Sequence, residues 1–449
     1  MTDTSTAKPE IDRYQQIVED LLAEARSQGA SAAEAGVSGD AGLAVTVRLG
    51  DIETVERTKD HSLGVTVYFG QRKGSASTTD LSPEAVRETV SAACRIARHA
   101  SEDRCAGLPP EERLARSVPD LDLYHPWPLA VAEAADLAVR CEAAARAYDA
   151  RIDNSEGATV STQSGEFVYG NSLGFIGGYP TSRHSVSCAV IAREGESMQR
   201  DYWYTNARTP AGLDAPEAVG RRAAERTVSR LGARRIGTRR VPVLFRADIA
   251  PSLLRGLLGA IRGPALYRQA SFLLDQLDQP VFPPWVRIHE DPLLVRGLAS
   301  APFDNEGVAT VPHDLVREGV LRSYVLDSYA ARRLGMATTG NAGGVRNLAI
   351  ESGPDARGFD DLVRDMGTGL IVTEMMGQGT NTVTGDYSRG AAGLWVEHGE
   401  IRHPVEEITV AGNLRDMFAR LQAVGTDDRI PGSTRTGSWL VDGMTVAGD

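Results

Sequence analysis

Several stretches of this chain place reactive residue types at spacings that could do chemistry. Gly170-Asn171-Ser172-Leu173-Gly174 has the G-x-S-x-G spacing of a nucleophile elbow, where a strained turn exposes a serine hydroxyl for acyl transfer. That elbow needs a strand before the serine and a helix after it. Phe175-Ile176-Gly177-Gly178-Tyr179-Pro180 follows instead, which reads as strand and turn, so the segment spells a hairpin. His289-Glu290 opens like the zinc motif H-E-x-x-H, but Asp291, Pro292 and Leu293 come next. Proline breaks the helix that motif needs, and position 293 offers no ligand. His398 and His403 could approach across a hairpin, with no cysteine or third histidine near them in sequence. Gly377-Gln378-Gly379-Thr380-Asn381 lacks the lysine and the following helix of a phosphate loop. Its glycines suit close backbone approach, within a barrel corner or to a bound peptide strand.

Elements must position these groups. Residues 11–28 have helical apolar spacing at Ile17, Leu21, Leu22 and Ala25. Strand-like alternation follows at 43–50, 52–58 and 62–70. Ser82 as N-cap, Pro83 at the first helical position and Glu84 behind it open a helix over 82–100. Proline-rich text over 108–128 reads as a linker, and an Ala-rich helix leads up to 150. Residues 151–206 read as strands, and 214–232 as a helix. Eight arginines between 221 and 240 lie on and beyond that helix. Glu217 and Glu225 are spaced to pair with them, so the run reads as a solvated or interdomain face rather than a nucleic-acid patch. Past 240 the texture becomes mainly β. One helix covers 250–262, and strands are expected at 241–245, 369–376, 380–388, 392–404 and 406–412.

The fold class expected is α+β: N-terminal α/β units with antiparallel strands, then a mainly β, barrel- or sandwich-like C-terminal domain. The boundaries read as a disordered leader 1–10, an N-terminal α/β domain 11–108, a central α/β domain 109–235 and a C-terminal domain 236–449. A net charge of −12 sets the field of the whole chain against nucleic acid and anionic membrane. No run of about 18 apolar residues is present, so no membrane span is expected. The polar start reads as no signal peptide. Cys94, Cys105, Cys141 and Cys188 form no C-x-x-C pair and read as free thiols of a cytoplasmic protein.

The compound motifs FDNEGVAT (303–310) and EGVLRSYVLDSYAARRLGMATTGNAGGVRNL (318–348) carry a resemblance. So do ALYRQASFLLDQL (265–277), ASAPFD (299–304) and GARRIGTRRVPVLF (232–245). Together they resemble the TldD/TldE (PmbA) metallopeptidase family, in its PmbA/TldE branch. The resemblance covers most of the chain and is densest from 232 to 420. In the zinc-binding branch the helix matching 251–263 carries H-E-x-x-x-H, and a late cysteine completes the site. The positions that match here are Arg255, Gly256 and Ala260, and no cysteine follows Cys188. Zinc needs deprotonated N, S or O ligands that converge. Arg255 brings a fixed positive charge, Gly256 has no carboxylate to activate water, and Ala260 has no donor atom.

The resemblance therefore implies a non-catalytic subunit without a cofactor of its own, paired with a TldD-type chain that holds the zinc. Such a complex would cleave unfolded or leader peptides, with this chain completing the chamber and gripping extended peptide by its backbone. The Gly377–Asp386 strand and the Asp304–Gly307 loop are the candidate walls, with Asp304, Glu306, Gly377, Gly379 and Asn381 as candidate peptide contacts. Without its partner the chain could pair with itself. Two alternatives stand beside this reading. One is a self-sufficient peptidase using another metal or an acid/base set such as Glu306 or Asp304 with a histidine. The other is a gyrase-associated regulator, the family's older label, which the acidic balance does not favour as direct DNA binding.

Overall fold

The computed structural model describes residues 9–353, 355–428 and 432–448. Residues 1–8 of the expected leader and the last residue, 449, lie outside them. Helix α1 (Ile11–Ser27) buries Tyr14, Val18, Leu21 and Ala25, one stripe at i, i+4 spacing. Strands β1 (Ala32–Arg48), β2 (Asp51–Phe69) and β3 (Arg72–Thr78) follow. Helix α2 (Pro83–His99) starts as its capping residues dictate, with the Ser82 hydroxyl accepting the Ala85 amide at 3.3 Å. Helix α3 (Val131–Arg146) leads to β4 (Ile152–Asn171), β5 (Ile176–Glu194), β6 (Ser197–Ala207) and helix α4 (Pro216–Val228).

These six strands form one antiparallel sheet in the order β3-β2-β1-β4-β5-β6. The two α/β units read from the sequence are thus joined by β1 and β4, which pair from Glu34↔Asn171 to Val47↔Ala158. Strand side chains alternate between faces, so Ala33, Ala35 and Val37 and then Leu43 and Val45 point the same way. The first three enter a core under α1 and α2, the last two a core under α3 and α4. The opposite face carries Phe167 and Tyr169, which meet Phe175, Tyr179 and Phe303. The remainder of the chain packs there.

That remainder begins with β7 (Arg239–Phe245), helices α5 (Pro251–Ile261) and α6 (Gly263–Tyr267), and β8 (Ile288–Asp291). It continues through β9 (His313–Arg317), β10 (Val320–Leu321), α7 (Ser328–Leu334), β11 (Asn347–Ile350) and α8 (Phe359–Met366). Then come β12 (Gly369–Met376), β13 (Asp386–Glu397), β14 (Glu400–Asn413), α9 (Leu414–Ala419), β15 (Leu421–Val424), β16 (Thr434–Arg435) and β17 (Trp439–Ala447). Strands β14, β13, β12, β7 and β17 run in that order, and pairing of β17 back to β14 at Thr409↔Ala447 closes them into a barrel. Closure leaves those strands without a free edge. Strand β15 extends from β17, and a second sheet runs β10-β9-β8-β11-β16. The α+β class with a barrel-like C-terminal half is what the sequence pattern implies. No helix among the described residues is long and apolar enough to cross a membrane.

Three strand expectations need correction. Residues 377–385 are a loop, so neither the Gly377–Asp386 strand nor a strand over 380–388 forms; β12 stops at Met376 and β13 resumes at Asp386. Gly377 and Gly385 take φ of +73° and +83°, and the Asn381 side-chain carbonyl accepts the amides of Val383 (2.9 Å) and Thr384 (3.3 Å). That is turn chemistry, and it overrides the β-branched Thr and Val between the glycines. Residues 392–404 are a hairpin instead of one strand, turning at His398 and Gly399, both at positive φ.

Candidate functional site

Helix α5 begins with Pro251, whose fixed φ suits the first helical position. Leu253, Leu254, Leu257, Ala260 and Ile261 bury themselves in the barrel core together with Phe245, Met417 and Trp439. Arg255 lies on the opposite, exposed side. Gly256 is buried, and a Cβ built there would stand 2.6 Å from Cδ1 of Leu414. Leu414 thus fills the space beside Gly256. The Ala260 carbonyl accepts the Ser271 hydroxyl at 2.6 Å. A guanidinium, a packed glycine and a methyl group make no donor set for zinc, so the residues present do not fit the metal.

Arg255 opens instead onto a polar cleft of about 360 Å³ between β6, α4, the start of α5 and the strands β12 and β13. Its walls hold Arg200, Arg226, Arg230, Arg255 and Arg389, with Asp201, Asp248 and Glu374. Arg226, only 6% exposed, reaches Asp248 at 2.8 Å and Asp201 at 3.3 Å. Arg230 reaches Glu374 at 2.5 Å and Asp201 at 3.6 Å. Arg246 adds a contact of 2.6 Å to Asp248. Burial pushes the Asp248 carboxyl up, but Arg246 and Arg226 outweigh it and hold the group below its ordinary range. These pairs tie the six-stranded sheet to the barrel half. The arginine run is therefore an interdomain face, with Arg222 bonded outward to Glu225 at 2.7 Å and Arg226 and Arg230 turned in.

Arg255 and Arg389 differ from the others: neither has a carboxylate within ion-pair reach among the described residues. Both lie close enough to Tyr387 to act on its hydroxyl. Burial pushes that phenol up to about 12, with Arg389 and Arg255 pulling against the rise. Nε of Arg389 and the hydroxyl of Ser252, one turn before Arg255, are buried without a hydrogen-bond partner, as are the Nε atoms of Arg226 and Arg230.

The other candidates fall in two places that the structure does not bring together. Asp304 is 1% exposed, and its carboxylate accepts the amides of Glu306 (2.9 Å), Val308 (3.0 Å) and Ala342 (2.9 Å). Burial raises it to about 6 against those three bonds. Glu306 accepts the Ser328 amide at 2.9 Å and is raised to about 7, first by burial and then by Asp304 and Asp327. No histidine is among the bonding partners of either carboxylate. Gly377, Gly379 and Asn381 sit instead in the loop beside α5, where Thr382 lies 3.3 Å from a Cβ built at Gly259. At Gly379 a Cβ would be 1.6 Å from the Ser388 carbonyl oxygen, so the glycine is required by backbone crossing.

The remaining sequence motifs are structural. The Ser172 hydroxyl accepts the Ala33 amide at 3.0 Å at the tip of the β4–β5 hairpin. His289 lies on a strand with Nδ1 2.7 Å from Asp314, and Glu290 is buried on Asn341 and the Arg346 amide. His403 faces Trp395 across the β13–β14 hairpin, with His398 at its turn. Among the described residues no three His, Cys, Asp or Glu side chains gather as metal ligands would. The cleft carboxylates and Arg389 carry no local motif and escape sequence reading. Only the spacing of Arg226 and Arg230, four residues apart on and just past the end of α4, marks an inward face.

Comparison with known proteins places this architecture. Residues 33–97, 124–231 and 238–448 match the models of domain 1, the central domain and the C-terminal domain of the PmbA/TldA metallopeptidases. Metalloprotease PmbA of Escherichia coli O157:H7 is 48% identical over 427 residues, covering 95% of this chain and 94% of that one. A Bacteroides thetaiotaomicron structure named for modulation of DNA gyrase matches with a TM-score of 0.92 at 26% identity, over 98% of this chain and 100% of that one. TldE of Thermococcus kodakarensis matches with a TM-score of 0.82 at 20% identity, over 96% and 100%, a likeness of fold.

Proposed function

The chain belongs to the PmbA/TldD metallopeptidase family, and from that premise we propose that it is the non-catalytic subunit of a two-chain zinc peptidase. The zinc belongs to a TldD-type partner. This chain completes the chamber in which an unfolded or leader peptide is cleaved. The observation that supports the reading is helix α5, where the positions that the resemblance matches to the zinc motif hold Arg255, Gly256 and Ala260 and Leu414 packs against Gly256. A hydrolytic site needs a polarising group and a base within reach of one water, and this helix supplies neither. The 377–385 loop beside α5, with Gly377, Gly379 and Asn381, is the proposed wall on this side. The 304–307 loop, with Asp304 and Glu306, is proposed as a rigid support.

The test is reconstitution. The purified chain is mixed with a TldD-type zinc subunit, and cleavage of an unfolded peptide is followed alongside sizing and metal content of each chain. Cleavage by the complex, with zinc carried by the partner, supports the reading. Full activity of the partner alone with no complex on sizing overturns it. Arg255→His, Gly256→Glu and Ala260→His combined should give no zinc-dependent cleavage, because no late cysteine closes the site and Leu414 occupies the space. Cleavage by that triple variant alone would show the third ligand to be dispensable.

A further inference from the structure

We propose that the cleft at the start of α5 is a receptor for a peptide carboxylate, with Arg255 and Arg389 as its ligands. The charges lining the cleft do not cancel. Asp201, Asp248 and Glu374 are taken up by Arg226, Arg230 and Arg246, and Arg200 is held at 2.7 Å by Glu156 outside the cleft. Arg255 and Arg389 remain as two guanidinium groups of one sign in the same cavity, without a counter-charge among the described residues.

Like charges held together repel and are costly to desolvate, so a pair of this kind marks a place where an anion completes the structure. Four further groups there lack a hydrogen-bond partner: the Nε atoms of Arg226, Arg230 and Arg389, and the Ser252 hydroxyl. Guanidinium matches a carboxylate in a planar two-bond geometry, and a serine hydroxyl can donate a third bond. The surroundings select the class of anion. Tyr202 is 48% exposed and, with Trp203 and Met375, gives the cleft an apolar rim beside its charged wall. About 360 Å³ is room for one or two residues of a peptide, carboxylate inward and side chain against the rim. The carboxylate is either the chain terminus of the peptide or an Asp or Glu side chain within it. This site is built from the chain's own residues and is tested without a second subunit, so its failure and that of the chamber reading are separate results.

The experiment is calorimetric titration of the full chain at low salt with three acetylated Ala/Phe tetrapeptides. One has a free C-terminal carboxylate, one is its C-terminal amide, and one is an amide with a single internal Asp. The free acid should bind, and amidation should weaken it about tenfold or more, the loss of charge-assisted bonds. Arg255→Gln and Arg389→Gln should each weaken the acid about tenfold and leave the amide unchanged. Arg255 is exposed, so its variant keeps the fold, and a thermal melt checks Arg389→Gln. Binding of the internal-Asp peptide assigns the site to side-chain carboxylates, and its failure beside binding of the free acid assigns it to chain termini. Equal binding of acid and amide overturns the proposal. So does an unchanged affinity in both variants, or no binding of either carboxylate peptide to the folded chain. Inorganic phosphate binding where both carboxylate peptides fail overturns the class of anion.

Discussion

Two charge clusters lie where the six-stranded sheet meets the barrel half, and they are built in opposite ways. In the 304–308 loop the carboxylates are closed: Asp304 is spent on three backbone amides and Glu306 on the Ser328 amide. In the α5 cleft Arg226, Arg230 and Arg246 are neutralised by carboxylates, though the Nε atoms of Arg226 and Arg230 stay unbonded, whereas Arg255 and Arg389 have no carboxylate partner among the described residues. A charged group neutralised by its own chain holds the fold, and one without a counter-charge can hold something else. Residue type does not separate the two cases. Asp304 and Glu306 have the chemistry of an acid/base pair, but their bonding is that of a loop clamp.

The largest expected effect breaks the closed part of the cleft. Arg226→Ala removes the partner shared by Asp201 and Asp248 and should destabilise the chain by about 3 to 5 kcal/mol, the usual range for one half of a buried ion pair. Urea denaturation measures it; a loss under about 1 kcal/mol would show that the seam does not depend on this residue. Asp304→Ala comes next. It strands three amides in a buried loop and should cost about 3 kcal/mol, read the same way. A variant of ordinary stability that lost peptide binding would reverse the comparison and make Asp304 a binding residue.

How far these clusters could be read from sequence depends on how local their causes are. Helix α2 is legible because Ser82, Pro83 and Glu84 state its start within three residues. Strand β12 is legible because an apolar run ends at Gly377. The first half of β1 is not, because its inward residues at 33 and 35 are alanines with little apolar contrast to their neighbours. Joining the two N-terminal units into one sheet depends on Glu34 meeting Asn171, a register no local pattern encodes. That Arg255, Gly256 and Ala260 carry no metal-ligating side chain is visible in the sequence itself. What surrounds them is not: Arg389 arrives from β13 and Glu374 from β12, both far after α5 in the chain, and Asp201 from β6, before it. Leu414 in the space beside Gly256 is equally invisible before packing is known.

A smaller effect sharpens the comparison through pH. Asp304 and Glu306 titrate higher in the folded chain, at about 6 and about 7, than carboxyls do when exposed. Protonation therefore favours the folded state. Their contribution is fully present below about pH 4 and is lost as pH rises through those folded values. Glu306→Gln keeps the acceptor for Ser328 and removes the titration. Its stability advantage over the natural chain should shrink by about 1 to 2 kcal/mol between pH 8 and pH 5, after allowance for partial exposure. An advantage that stays constant with pH would mean Glu306 is ionised throughout and open to solvent, which would place it with the unused charges.

The smallest effect is the most discriminating. Arg255 is exposed and has no carboxylate partner, so Arg255→Gln should shift stability by no more than about 0.5 kcal/mol, the range of an ordinary surface change. Relief of its repulsion with Arg389 makes a slight gain the expected direction. If instead Arg255→Gln costs as much as Arg226→Ala, the cleft is a closed network like the 304–308 loop, and its positive charge is structural. If stability holds while salt sensitivity of peptide-acid binding falls, Arg255 is available charge, because screening by salt acts on exposed pairs far more than on buried ones. The two outcomes separate a guanidinium that is part of the fold from one that is free to bind.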